Sequence, residues 1–244
     1  MSDAAPLAIA VVCEGPADQR TATTLADRVV CEAKDWIEAE RLDQFRVWCG
    51  VLGNSSFLAW RDVPGAAEAR SIKAHGHFCG EPGAPDARQA RRALFVVRSV
   101  DPPASAVLLI RDADTQAARL RGLRQARDAT NWSFAVVIAV ARPKRECWLL
   151  AAFEPTDDVE KARLASLRKE LGFDPRIRPQ ELTATHDRDK RSTKRVIGEL
   201  SGRSADRAER DLERTPLETL KKRGAENGLR DYLRELEQRL VPLF

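Results

Sequence analysis

Three uninterrupted apolar runs constrain this chain more than anything else in it. They are "LAIAVVC" (Leu7 to Cys13), "AVLLI" (Ala106 to Ile110) and "SFAVVIAVA" (Ser133 to Ala141). A strand with no polar alternation has no face to offer to water, so it belongs in a sheet covered on both sides. "FRVWCGV" (Phe45 to Val51) reads as a further strand. Helical spacing fills the intervals. One helix is expected from about Ala17 to Glu40, with Leu25, Val29 and Ile37 on one face. A second starts after Asp86 as N-cap in "DARQARRALFVVRSV", and a third runs from about Thr115 to Ala129. Strands alternating with helices imply an α/β fold, a mostly parallel sheet flanked by helices.

Two regions depart from that rhythm. Residues 53–85 are rich in glycine and proline and read as an ordered loop or insertion. Beyond Pro155 the strand pattern stops. "DDVEKARLASLRKELGF", "KRSTKRVIGELSG" and "NGLRDYLRELEQRLVPLF" read as amphipathic helices. The expected organisation is therefore an α/β domain over 1–154 and a helical C-terminal part over 155–244.

Composition excludes several function classes. The net charge of +4, from 41 basic and 37 acidic residues, permits a polyanionic partner without demanding one. Five cysteines without a Cys-x-x-Cys do not make a disulfide framework, which fits a reducing cytoplasm. The start "MSDAAPLAIAVVCEGPAD" lacks a basic leader, and no run approaches the ~20 apolar residues of a membrane span. No membrane partner is expected. No Gly-x-Gly-x-x-Gly follows the first strand, so dinucleotide binding is excluded as well.

Acids recur at the carboxyl ends of the strands, where sites form in open parallel sheets. The first strand is followed by Glu14, Gly15, Pro16 and Asp18. "AVLLIRDADTQ" runs into Asp112 and Asp114, which share one side if the chain stays extended. Glu146 follows the last strand within a few residues. Five carboxylates at one edge repel one another and call for a counter-charge. A divalent cation with hard oxygen ligands is the common solution, Mg²⁺ or Mn²⁺ where phosphates are the substrate. The plainer reading is that Asp114 caps the next helix and Asp18 favours the N-terminus of the first.

"VVCEGPAD", "VLLIRDAD" and "RPKRECWLLAAF" together resemble the TOPRIM domain, the metal-binding fold of topoisomerases, primases and several nucleases. The extra acids Asp18 and Glu146 resemble its nuclease branch, which includes the overcoming-lysogenization-defect nucleases and small proteins linked to antiphage defence. The resemblance spans roughly residues 7 to 154 and has no counterpart for 53–85. It implies that Glu14, Asp112 and Asp114 hold a catalytic metal and that Asp18 and Glu146 help bind a second. It further implies phosphodiester hydrolysis of DNA or RNA and a downstream basic residue near the scissile phosphate. Lys190 is the candidate for that residue, with Lys194 one helical turn on and Arg195 beside it. Arg119, at the start of the helix after Asp114, is a candidate backbone contact. The chain shows no ATPase module, so energy coupling would require a separate ATPase subunit.

Other readings fit the same residues. The chain is alternatively a non-catalytic or effector subunit of an ATPase-containing complex that binds nucleic acid or protein. Small-molecule phosphotransfer or glycosyl transfer is a third reading. "AHGHFCGE" places His75, His77 and Cys79 two apart each, a spacing that matches no common zinc module. Leu229, Leu233, Leu236 and Leu240 in the last helix serve the core or a partner surface.

Overall fold

The computed structural model describes residues 5–53 and 55–244. The chain is α/β, with a mainly parallel central sheet flanked by helices and a helical C-terminal part. It divides into two compact units. The first comprises Met1–Val140 and Arg234–Phe244, the second Ala141–Leu233. The division falls at the end of the last strand, ahead of the boundary at 154 expected from composition, because the apolar helix after that strand packs within the second unit.

In the first unit, β1 (Leu7–Cys13) leads into α1 (Pro16–Ala33), then β2 (Arg46–Cys49). The insertion holds β3 (Leu58–Ala59), α2 (Val63–Glu68), β4 (His77–Phe78) and β5 (Glu81–Pro82). Next come α3 (Ala87–Arg98), β6 (Ala106–Asp112), α4 (Arg119–Asp128) and β7 (Ala135–Ala141). The sheet order is β2-β1-β6-β7, with β3 also paired to β1. β1 pairs in parallel with β6, Ile9 opposite Ala106 and Val12 opposite Leu109. The apolar runs are central for the reason their composition suggests. Val11, Val12, Val107, Leu108 and Leu109 have no exposed surface.

The insertion is not irregular throughout. Leu58 and Ala59 pair with Val12 and Cys13, continuing the β1 edge beyond β2. A two-residue strand is too short to show a period, which is why the sequence reads as loop there. Gly50 makes the intervening turn possible, because a Cβ there would lie 2.6 Å from the Phe57 carbonyl oxygen. Trp60 then ties the insertion to the sheet by donating its indole N–H to the Ile110 carbonyl at 2.7 Å.

The second unit contains α5 (Glu146–Ala152), α6 (Asp158–Leu171), α7 (Thr193–Leu200), α8 (Ala205–Arg214), α9 (Leu217–Arg223) and the start of α10 (Leu229–Glu235). Its centre is Trp148, stacked on Tyr232 at 5.3 Å and donating its indole N–H to the Asn227 carbonyl. Leu229 and Leu233 in this unit, and Leu236 and Leu240 in the first, are fully buried, so they serve packing. No described helix is long and apolar enough to cross a membrane.

Candidate functional site

Parallel pairing of β1 with β6 brings the ends of both strands to one edge of the sheet. Glu14 follows β1 there, and Asp112 is the last residue of β6. Asp114 does not continue the strand. Its φ of +47 puts it in the left-handed region, which Asp tolerates better than most residues. The alternation expected for an extended Asp112-Ala113-Asp114 therefore ends at Asp112.

The counter-charge at this edge is supplied by two arginines. Arg111 Nη1 lies 3.2 Å from Glu14 Oε1, and Arg111 Nε donates to Asp86 Oδ2 at 3.1 Å. Arg119 Nε lies 3.2 Å from the same Asp86 oxygen. Arg119 Nη1 reaches Asp114 Oδ2 at 2.9 Å and the Asp112 carbonyl oxygen at 2.7 Å. The result is an alternating row, Glu14–Arg111–Asp86–Arg119–Asp114. Its arginines and Asp86 are largely buried, while Glu14 and Asp114 each keep 42% of their side chains exposed. The Arg111 guanidinium also stands over the Trp60 ring at 5.4 Å.

Asp86 takes the helix-start position expected of it but not the capping bond. It occupies the N-cap position of α3 with a φ of +64, yet its side chain makes no capping hydrogen bond. Its carboxylate instead bridges the two arginines. The approach of α4 makes this possible. A Cβ on Gly122 would fall 1.8 Å from the Pro85 carbonyl oxygen, so only glycine lets the helix carry Arg119 up to Asp86. Gly122→Ala is expected to push α4 away and lower stability by about 2 kcal/mol, an overpacking cost, measured by urea unfolding. An unchanged midpoint would show that this approach is not needed. Asp86 also lines a cavity of about 280 Å³ with Arg88, Arg92 and the insertion glycines Gly76 and Gly83.

The remaining predicted residues are distributed as follows. Asp18 takes the helix-start role, since the Gly15 N–H donates to Asp18 Oδ2 at 3.1 Å. The Cys13 thiol, at the end of β1, is pushed up to about 12 by burial and the nearby Asp18 charge, which disfavours its thiolate. Glu146 opens α5 in the second unit, 4.0 Å from Arg145. Lys190 precedes α7 in a turn, because Ser192 caps the helix by accepting from the Arg195 N–H. The shared helical face expected for Lys190 and Lys194 therefore does not form. Arg195 pairs with Glu170 at 2.9 Å, and Lys194 lies 3.6 Å from Asp187. His75 and His77 turn their carbonyls to Arg91 Nη1, which also meets the His75 ring at 2.9 Å. Among the described residues, no three His, Cys, Asp or Glu side chains converge as a ready metal cage.

Comparison with known protein families, with curated proteins and with solved structures gave no match for this chain. The functional reading therefore rests on the residues and their geometry.

Proposed function

We propose that the sheet edge carrying Glu14, Asp112 and Asp114 is the centre of a TOPRIM-type, metal-dependent nuclease acting on DNA or RNA. The observation that supports this reading most is the parallel register of β1 and β6, which delivers acids from two central strands to one edge. The donor set suits Mg²⁺ or Mn²⁺. It consists of hard carboxylate oxygens, and Glu14 and Asp114 each commit one oxygen to an arginine while remaining half-exposed. Glu14, Asp112 and Asp114 would hold the ion, which when bound supplies a polarised water and neutralises charge at a phosphodiester. Arg111 and Arg119 would orient the carboxylates and meet phosphate oxygens. Lys190, Lys194 and Arg195 are carried in the second unit as candidate nucleic-acid contacts, Lys190 being also the candidate basic residue for the scissile phosphate, and Glu146 is carried there as a candidate ligand of a second ion. A role in antiphage defence, with a separate ATPase subunit, extends the same reading.

A second reading has its own support. The two arginines already offset most of the charge of Glu14, Asp86 and Asp114, so the edge is also suited to a binding or effector subunit in which Glu14–Arg111–Asp86–Arg119–Asp114 is purely structural. A cleavage assay separates the two. Plasmid, single-stranded DNA and tRNA are incubated with Mg²⁺ or Mn²⁺, using wild type and Asp112→Ala. Cutting that needs the metal and falls at least a hundredfold in the variant is expected. Folded wild-type protein that cuts none of these, while its nucleic-acid binding is untouched by Asp112→Ala, would instead establish the binding reading.

A further inference from the structure

The second unit contains a cavity whose lining includes Lys194 and Arg195, so an inference drawn from it deepens the reading of those two residues as nucleic-acid contacts. The cavity measures about 670 Å³, within the size range of small-molecule sites, and is lined by Arg188, Lys194, Arg195 and Arg203 against Asp187 and Glu199. A smaller lobe of about 290 Å³ shares Lys194, Gly198 and Arg203 with it. That lobe is lined by Leu149, Ile197, Ala205 and Ala208 and also by Glu146, Ser201, Ser204 and the Arg145–Glu209 ion pair. One end is thus mainly cationic, and the other is apolar with a rim that holds both polar and charged groups.

The cations are only partly committed. Arg188 and Arg203 have no ion-pair partner among the described residues. Lys194 and Asp187 are both more than half exposed and 3.6 Å apart, a weak pair. Arg195 is held in place by Glu170 and Glu199 at 2.9 and 3.3 Å.

Two backbone features lack a packing explanation. Gly198 lies inside α7, where glycine is a poor helix former, yet a Cβ built there meets nothing within 4 Å. The space it leaves open is the shared floor of both lobes. Arg203 has a φ of +63, an unfavourable conformation for a long side chain. Its N–H donates to the Gly198 carbonyl at 2.6 Å, so the turn that closes α7 fixes Arg203 beside the bare floor. A side chain removed and a strained arginine held in place are features of a site where a ligand approaches the backbone closely.

We infer that this cavity binds a phosphate-bearing ligand of nucleotide size. The phosphate sits among Arg188, Lys194 and Arg203 at the Gly198 floor, and the base enters the apolar lobe. The source of the phosphate is either a free nucleotide or a nucleic-acid strand. The inference does not depend on cleavage, so it is tested with a metal chelator present.

Isothermal titration calorimetry is run on the full chain with AMP, GMP, adenosine, inorganic phosphate and a single-stranded oligonucleotide lacking a 5′-phosphate. Nucleotide binding that weakens as salt rises, with adenosine at least tenfold weaker, is expected. The same result from the oligonucleotide alone assigns the site to a strand, and from the mononucleotides alone to a free nucleotide. Lys194→Gln and Arg203→Ser should each weaken binding about tenfold, the loss of one charge-assisted contact. Gly198→Ala decides between a ligand role and chance. It should raise the melting temperature by about 2–4 °C through helix propensity and still weaken binding at least tenfold. A stabilised Gly198→Ala that binds as well as wild type would overturn the inference, as would adenosine binding as tightly as AMP or no binding by any phosphate-bearing probe.

Discussion

Arg207→Met should remove about 3–5 kcal/mol of stability, the range for breaking a buried ion pair by deleting one partner. Arg207 Nε and Nη2 meet Glu160 Oε1 and Oε2 at 2.6 and 2.7 Å. Its Nη1 meets Asp211 Oδ2 at 2.8 Å, and Nη2 also donates to the Glu154 carbonyl at 2.6 Å. The guanidinium lies over the Phe153 ring at 4.4 Å. Arg207, Glu160 and Asp211 are 8%, 8% and 6% exposed, so water cannot replace the arginine for either carboxylate. One side chain thus joins α6 to α8 and to the link after α5. The pH dependence follows from the same contact. Arg207 holds the Glu160 carboxyl well below its usual range, at about 2. A depressed carboxyl contributes stability that is complete above its unfolded value and lost as pH falls through the folded one. Wild type should therefore lose this contribution between about pH 4.5 and about 2. In Arg207→Met the stranded carboxylates gain by protonation, so its deficit should narrow over that window. Urea unfolding followed by circular dichroism at several pH values measures both effects. A variant within about 1 kcal/mol of wild type at pH 7 would show that the cluster is not a keystone of this unit.

The same cluster marks where the sequence stops being legible. β1, β6 and β7 are readable because a strand buried on both faces must be apolar throughout. α8 and α9 are missed because "ADRAERDLER" and "LETLKKR" look solvated, and nothing local says that Arg207 and Asp211 are buried against Glu160. The sheet edge shows the same limit. Glu14, Asp112 and Asp114 are visible as acids at strand ends. Their neutralising partners are not, because Arg111 lies inside the acidic motif and reads as ordinary strand-end polarity, Arg119 reads as a backbone contact, and Asp86, which holds both arginines, fits an N-cap. The sequence shows that a counter-charge is needed, but its identity depends on the close packing of α4 at Gly122.

Arg111→Met tests whether that edge is metal-binding or self-contained. Methionine retains an apolar stem against Trp60 while removing the charge from between Glu14 and Asp86. Without divalent ions the variant should lose about 3 kcal/mol, because Asp86 is largely buried and is left with Arg119 alone, and Glu14 now repels it. If Glu14, Asp112 and Asp114 are ligands, the site gains a negative charge and loses a competitor for the Glu14 oxygen. Mg²⁺ should then stabilise Arg111→Met more than wild type. The gain approaches about 2.7 kcal/mol when the ion is at a hundred times its dissociation constant. Adding Asp112→Ala to the variant should abolish that gain. The comparison is made at matched ionic strength, so that general screening of Glu14 and Asp86 does not count as binding. If Mg²⁺ leaves both melting curves unmoved relative to matched NaCl, the row of acids and arginines is a structural clamp. The functional weight then passes to binding by a non-catalytic subunit. If Mg²⁺ rescues Arg111→Met through Asp112, the arginine is the stand-in that keeps the acids together until the ion arrives.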